Sequence, residues 1–412
     1  MVREQIGGVP IRQLVETYGT PLYVYDLSVI ERQLAQLAAF DIVRYAQKAC
    51  SNLTVLRLLR ERGALTDAVS AGELRRAELA GYPLQGDPPP VVFTADLFER
   101  GTLELIVEQG VHANLGSPHM VAQLGERAPG REVTLRINPG FGHGHSRKTN
   151  TGGTHSKHGI WHEDLESCLL TADRNGLAVS GLHMHIGSGA DLDHLSQVCR
   201  AMRDAAMQVG RSVKSISAGG GLPVPYAEGE SPIDVDGYFE RWDATRRELE
   251  GEFGHSVRLE IEPGRFLVAE SGFLICEIRA IKQAGPNVFY LVDAGFTHLA
   301  RPILYGAYHP MSLCAPFAEQ RSMQEVLVGG PLCESGDIFT QDAEGIVRPQ
   351  TLPKANVGEL LVIERTGAYG ATMASNYNSL PLAAEVVIRN GTPELARRRQ
   401  TIDEMLAGEI VS

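Results

Sequence analysis

Eight short apolar runs recur through the middle of the chain, at residues 43–47, 66–70, 91–95, 112–117, 133–138, 179–186, 213–218 and 258–262. Between successive runs the apolar positions fall at helical spacing, as in 71–80, 192–209 and 238–253. Strands that alternate with helices lie parallel, and eight of them are the count of a closed (β/α)8 barrel; open doubly wound sheets usually have fewer. The expected barrel covers residues 27–270, close to the roughly 250 typical of that fold. After Ser271 the rhythm changes. Runs at 273–282, 288–292, 323–328, 359–363 and 384–388 are separated by turns rich in Gly, Pro, Asn and Asp, which predicts strands. Residues 1–26 and 271–412 therefore read as a second, β-rich domain, with a helix expected only at 394–406. The fold class is α/β plus β.

Composition narrows the partners. The formal net charge of -12 opposes nucleic acid and anionic membrane surfaces, which call for clustered Lys and Arg. No uncharged apolar run is long enough to cross a bilayer, and the first residues lack the apolar core of a signal peptide, so a cytoplasmic location is expected. The cysteines at 50, 168, 199, 276, 314 and 333 have no CxxC spacing, and neither a disulfide framework nor a zinc site is expected. Five read as small apolar fillers, and only Cys333 has suggestive neighbours.

Active sites of such barrels sit at the carboxyl ends of the strands, and unusual residues gather there. The first run leads into Lys48, just ahead of the Ser51-Asn52 helix start. A lysine among apolar neighbours has its ammonium form disfavoured and becomes a nucleophile able to form a Schiff base; the bland alternative is a lysine snorkelling at a strand end. The sixth run ends in His183-Met184-His185-Ile186-Gly187-Ser188-Gly189, the seventh in Gly219-Gly220-Gly221 and the eighth in Glu262-Pro263-Gly264-Arg265. Glycine amides can approach an anion closely, and Arg265 can fork onto phosphate or carboxylate. Glu262 suits a protonated pyridine nitrogen, or else a salt bridge to a neighbouring base such as Arg265. The pairs His183/His185 and His143/His145 raise metal ligation, but no Asp, Lys and second His set accompanies them, and no metal is expected. The polar, Gly-rich segment 150–159 reads either as a lid or as a plain surface loop.

The runs Tyr45-Ala46-Gln47-Lys48-Ala49, His185-Ile186-Gly187-Ser188, Gly219-Gly220-Gly221-Leu222, Glu262-Pro263-Gly264-Arg265, Cys333-Glu334-Ser335-Gly336-Asp337 and Gly367-Ala368-Tyr369-Gly370 together resemble the pyridoxal-phosphate decarboxylases of the alanine-racemase fold, and among them the diaminopimelate decarboxylases. The resemblance runs in order over nearly the whole chain. It implies that Lys48 carries pyridoxal 5'-phosphate, that His185 lies against the ring, that Glu262 pairs with the ring nitrogen, and that Ser188, Gly220, Gly221 and Tyr369 receive the phosphate. It also implies substrate recognition by Arg265, Arg301, Tyr305, Glu334 and Tyr377, a homodimer with shared active sites, and Cys333 from the other subunit as general acid, with Lys48 as the second candidate. The implied reaction is decarboxylation of meso-2,6-diaminopimelate to L-lysine.

Two runs depart from the family's usual pattern: Phe296-Thr297-His298-Leu299-Ala300, and Leu380-Pro381, where Arg-Pro is common. Alternatives left open are another diamino acid or a siderophore or secondary-pathway amino acid as substrate, a racemase, and an inert regulatory homologue.

Overall fold

The computed structural model describes residues 1–142, 151–185, 187, 192–227 and 229–410, with only the backbone of residues 192 and 193. It divides into two compact units, one of residues 33–223 and 232–266, the other of residues 1–32, 224–231 and 267–412.

The first unit is the expected barrel. Its strands are Ile42–Ala46, Leu65–Ala68, Val91–Ala95, His112–Leu115, Glu132–Asn138, Ala178–His183, Ser215–Ser217 and Arg258–Ile261. Each pairs in parallel with the next, and the last returns to the first through Glu260 opposite Ile42 and Ile261 opposite Val43. All eight expected strands are present, most with their ends moved by one to three residues, as terminal hydrogen bonds rather than composition decide where a strand stops.

The intervening helices start where short polar side chains cap them. Asn52 accepts from the amide of Thr54, Ser70 from Glu73, Ser117 from Met120 and Asp234 from Gly237. Helix Leu53–Glu61 shows what then holds them: Val55, Leu56, Leu58 and Leu59 are buried on one face, each stabilising the fold by about 1.5–3 kcal/mol relative to exposure.

The second unit is mostly sheet. Its seven-strand path runs Gln350–Pro353, Met323–Gly329, Asn287–Val292, Gly272–Ala284, Leu22–Asp26, Ala384–Arg389 and Thr392–Arg397, with Leu360–Ile363 pairing both Gly272–Ala284 and Met311–Cys314. A core of Ile11, Leu14, Leu22, Val24, Ile275, Val362 and Val386, among others, is buried beneath it.

One expectation fails here. Residues 394–406 are not one helix: Thr392–Arg397 is a strand, and only Ile402–Leu406 is helical. The cause is the preceding Asn390-Gly391, whose φ values of 51° and 76° close a two-residue hairpin with Arg389 opposite Thr392. Pairing with Ala384–Arg389 overrides the helical propensity of Glu394, Leu395 and Ala396.

Candidate active site

At the carboxyl end of the barrel the eighth strand passes into Glu262, which is buried. Its Oε2 lies 2.8 Å from Nε2 of His183, and its Oε1 accepts from the hydroxyl of Ser217 at 3.2 Å. Burial alone would raise the pKa of this carboxyl, but His183, Arg44 and His185 overcome that and hold it down at about 2. Glu262 is therefore an anion at neutral pH.

His185, one residue past the end of the sixth strand, is the opposite case. Burial, with the charges of Arg136, Lys48 and His183, keeps its ring neutral far below the usual histidine range. The amide of Gly220 donates to its Nδ1 at 3.2 Å, so the proton of the neutral ring is on Nε2.

The glycines between these residues are required by close approach. A Cβ on Gly220 would press on the carbonyl oxygen of Glu262, and one on Gly221, at φ 102°, would overlap that of Gly187. Gly219, at φ 62°, donates its amide to Ser217 Oγ, and its carbonyl accepts from the amide of Glu262 at 2.8 Å. Three strand ends are thus locked together around a cradle without side chains, where backbone amides can meet an anion. Ser188 lies outside the described residues, as do His143 and His145.

Lys48 corrects one expectation. It is exposed, not sheltered among apolar side chains, because the first strand stops at Ala46 and a 3-10 turn, Gln47–Ala49, carries it onto the rim. Its charged surroundings are carboxylates: Asp67 and Glu73 both feel its field. Asp67, buried and close to Glu262, is pushed up to about 8, first by burial and then by that second carboxylate. Glu73 is raised by burial while accepting from the amide of Val69 at 2.8 Å.

Arg136, also buried, is flanked electrostatically by Asp96, Glu262 and Asp67. Sequence reasoning missed Arg136 and Glu73 and considered His183 only as a metal ligand. The signal was the period-two polar face Thr134/Arg136/Asn138 on a strand that is otherwise apolar. Among the described residues no cluster of three or more His, Cys, Asp or Glu side chains could hold a metal ion.

The described part of segment 150–159 is tied down at several points. Thr151 donates to the carbonyl of His185 at 2.9 Å, Gly153 and Asn138 exchange two hydrogen bonds, and Asp96 accepts from Gly159 and meets His158.

The remaining expected residues lie in or beside the β-rich unit. Arg265 begins the short helix Arg265–Val268 that ends the barrel chain. In the β-rich unit, buried Arg301 donates through Nη1 to Nε2 of His309 at 2.8 Å, with its guanidinium 4.7 Å from the centre of the Tyr226 ring. Tyr305 closes the same helix, Arg301–Tyr305. Tyr369 adopts φ 59° beside Gly370, and Tyr377 packs its ring 5.3 Å from Phe296.

Cys333 is exposed while the other five cysteines are buried. Its amide donates to Oδ1 of Asn378 at 3.2 Å, and Glu334 next to it is exposed. Asp337 organises this loop by accepting from the amides of Phe296 and Leu332. The departure at His298 is structural: the ring is buried, its Nδ1 accepts from the amide of Gly295, and its carbonyl accepts from Tyr23.

A buried anion, a neutral imidazole face, a glycine cradle and a rim amine fit a phosphorylated pyridine aldehyde. The comparisons with known proteins agree. Residues 27–269 match the family described as pyridoxal-dependent decarboxylase, pyridoxal binding domain. The chain is 56% identical to the diaminopimelate decarboxylase of Streptomyces coelicolor over 98% of its own length and 92% of the relative's, and 52% identical to that of Escherichia coli K12 over 97% and 96%. A crystal structure of a diaminopimelate decarboxylase superposes with a TM-score of 0.94 at 52% identity, covering 96% of this chain and 94% of the other. That of the Helicobacter pylori enzyme complexed with L-lysine does so with 0.86 at 28%, covering 96% and 98%.

Proposed function

We propose, for a chain that belongs to the pyridoxal-dependent decarboxylases, that it removes one carboxylate of meso-2,6-diaminopimelate as carbon dioxide and releases L-lysine in the cytoplasm. The observation that carries the substrate is the identity of 52–56% with diaminopimelate decarboxylases along almost the entire chain.

Pyridoxal phosphate, when bound, supplies a protonated pyridine ring that draws away the electron pair left behind by the departing carboxylate. The protein's own groups arrange this. Lys48, on an exposed rim turn, would hold the cofactor's aldehyde through its amine, within reach of an incoming substrate amine. Glu262, held anionic by His183 and Arg44, with Ser217 donating to its second oxygen, would keep a proton on the ring nitrogen. His185, neutral and oriented by Gly220, would face the ring without competing for that proton. The glycine cradle at Gly220 and Gly221, with Ser188 and Tyr369, would receive the phosphate.

A substrate with two amino-acid ends needs cationic and anionic partners. Arg265, Arg301, Tyr305, Glu334 and Tyr377 supply them. The working unit is a homodimer in which the partner subunit's Cys333 returns a proton to the carbon from which carbon dioxide has left, with the partner subunit's Glu334 beside it.

Purified protein supplied with pyridoxal phosphate and a panel of amino acids tests the substrate through carbon dioxide and product analysis. Silence with meso-diaminopimelate alongside turnover of another diamino acid would overturn it. The Lys48→Ala protein should lose the borohydride-sensitive near-visible absorbance band. Mixing inactive Lys48→Ala and Cys333→Ala subunits should restore about a quarter of full activity if each site draws on both chains of a two-fold dimer, and none if it does not.

A further inference from the structure

The interior of such a barrel is ordinarily filled by layers of branched apolar side chains. This one is hollow and polar. A cavity of about 530 Å³ runs inside the ring of strands, lined at one end by Glu262, His183 and Ser217 and at the other by Lys214, Arg258 and Asp87. Arg258 opens the eighth strand and Glu262 follows its last residue, so the cavity extends about 13 Å along the barrel at the rise of a parallel strand. Its far end is wet: the side chain of Lys214 is 54% exposed and that of Asp87 79%.

Charge does not mark this as a ligand site. Arg44 pairs with Glu260, Lys214 with Glu132 and Arg258 with Asp87, while Arg131 donates to the carbonyls of Ile106 and Val111. What lacks a partner lies deeper. Asn114 and His183 are cavity-lining residues only 1% exposed, and the Oδ1 of the one and the Nδ1 of the other, both buried, meet no hydrogen-bonding group among the described residues. With Nε2 of His183 engaged by Glu262, Nδ1 needs a donor if the ring is neutral and an acceptor if it is charged. Buried polar atoms are rarely left unsatisfied, and a roomy polar cavity holds water.

We propose that the barrel interior is a standing column of water that joins the His183–Glu262 pair to solvent at the amino-terminal end of the barrel, so that protons reach and leave the pair by the end opposite the catalytic mouth. The proton consumed in turnover comes from the partner subunit's Cys333; this second route lets the pair exchange with solvent while substrate occupies the mouth. His183 is then a positioning residue for Glu262 and also its contact with solvent. The inference takes only the cofactor-facing role of Glu262 from the proposed function; exchange and hydration are measured without turnover, so either can fail alone.

The test follows exchange of the His183 ring N–H with solvent, by NMR of histidine-labelled holoenzyme, with and without an unreactive substrate analogue in the mouth. The expected result is exchange that the analogue leaves unchanged and that Asn114→Leu, which removes a water-holding acceptor, slows by roughly tenfold or more. Exchange slowed by the analogue and untouched by Asn114→Leu would overturn the proposal. Should that variant not fold, a high-resolution crystal structure of the wild-type holoenzyme decides: ordered waters linking Asn114 Oδ1 to His183 Nδ1 support the column, and a dry or collapsed interior refutes it.

Discussion

Gly264 packs so tightly on Ala46 that a Cβ added to it would stand 3.1 Å from the alanine's Cβ, and 3.2 Å from that of Ala49. Together with the hydrogen bond from the amide of Ala46 to the carbonyl of Pro263, this contact sets the turn that carries Lys48 against the segment that carries Glu262. Gly264→Val should therefore move the amine relative to the acid. A displacement near 1 Å costs on the order of 100-fold in rate, so a loss of roughly 10- to 100-fold in kcat/KM is expected. Gly251→Ala, in a helix where the new methyl meets nothing, serves as the control. It should leave kcat/KM unchanged and stabilise the protein by about 0.5–1 kcal/mol.

The Asp67 carboxyl supplies a pH signature. Its folded pKa of about 8 lies above the ordinary 3.8, raised by burial and by Glu262. Between those values the folded state binds a proton that the unfolded state releases, so stability falls as pH rises through that window. The slope from this one group is at most about 1.4 kcal/mol per pH unit. In the cofactor-free protein, Tm measured from pH 5 to pH 8 should decline more steeply for wild type than for Asp67→Asn, which cannot titrate. Parallel curves would show that Asp67 is ionised in the folded state.

The barrel was legible because its signal is redundant: eight strands and their capped helices each state the same period, and errors of a residue or two at the ends change nothing. The rim motifs were legible for the same reason, since Gly219-Gly220-Gly221 and Glu262-Pro263-Gly264-Arg265 stand where strands end. The excursion of residues 224–231 into the β-rich unit was not, because no composition change marks it. Nor was the setting of Lys48, which depends on whether the strand stops at Ala46 or runs one residue further. The hollow interior was written in the sequence as His112/Asn114, Glu132/Thr134, Ser215/Ser217 and Arg258/Glu260/Glu262, all at period two. It is easily passed over when a packed apolar barrel is the expectation.

The pairing of His309 with Arg301 has a kinetic consequence. Nε2 of His309 accepts from Arg301, so Nδ1 carries the ring proton and donates to the carbonyl of Glu364 at 3.0 Å. His309→Phe keeps a ring beside Tyr226 but removes one acceptor of the buried guanidinium, at a cost of about 1–3 kcal/mol. If Arg301 grips a substrate carboxylate, KM for meso-diaminopimelate should rise about tenfold while kcat changes far less, since 1.4 kcal/mol of lost binding corresponds to that factor. His309→Gln, which retains an acceptor, should recover part of the affinity. A fall in kcat at constant KM would place Arg301 in the chemical step instead.

The hairpin at Asn390-Gly391 isolates a purely conformational cost. Gly391 has φ 76°, and a Cβ there would meet nothing nearer than the carbonyl oxygen of Gly7 at 4.0 Å, so packing does not oppose a side chain. Only the left-handed backbone does, and a β-branched residue tolerates it worst. Gly391→Val should destabilise the protein by about 1–3 kcal/mol, seen as a lower Tm. The effect should start in the strand Thr392–Arg397, where Arg397 reaches back to the buried carboxylate of Glu385. Amide exchange in residues 392–397 should accelerate well before exchange in the barrel, because the hairpin opens locally without unfolding the rest. Uniform acceleration across the chain would show instead that this strand is an integral part of the global folding unit.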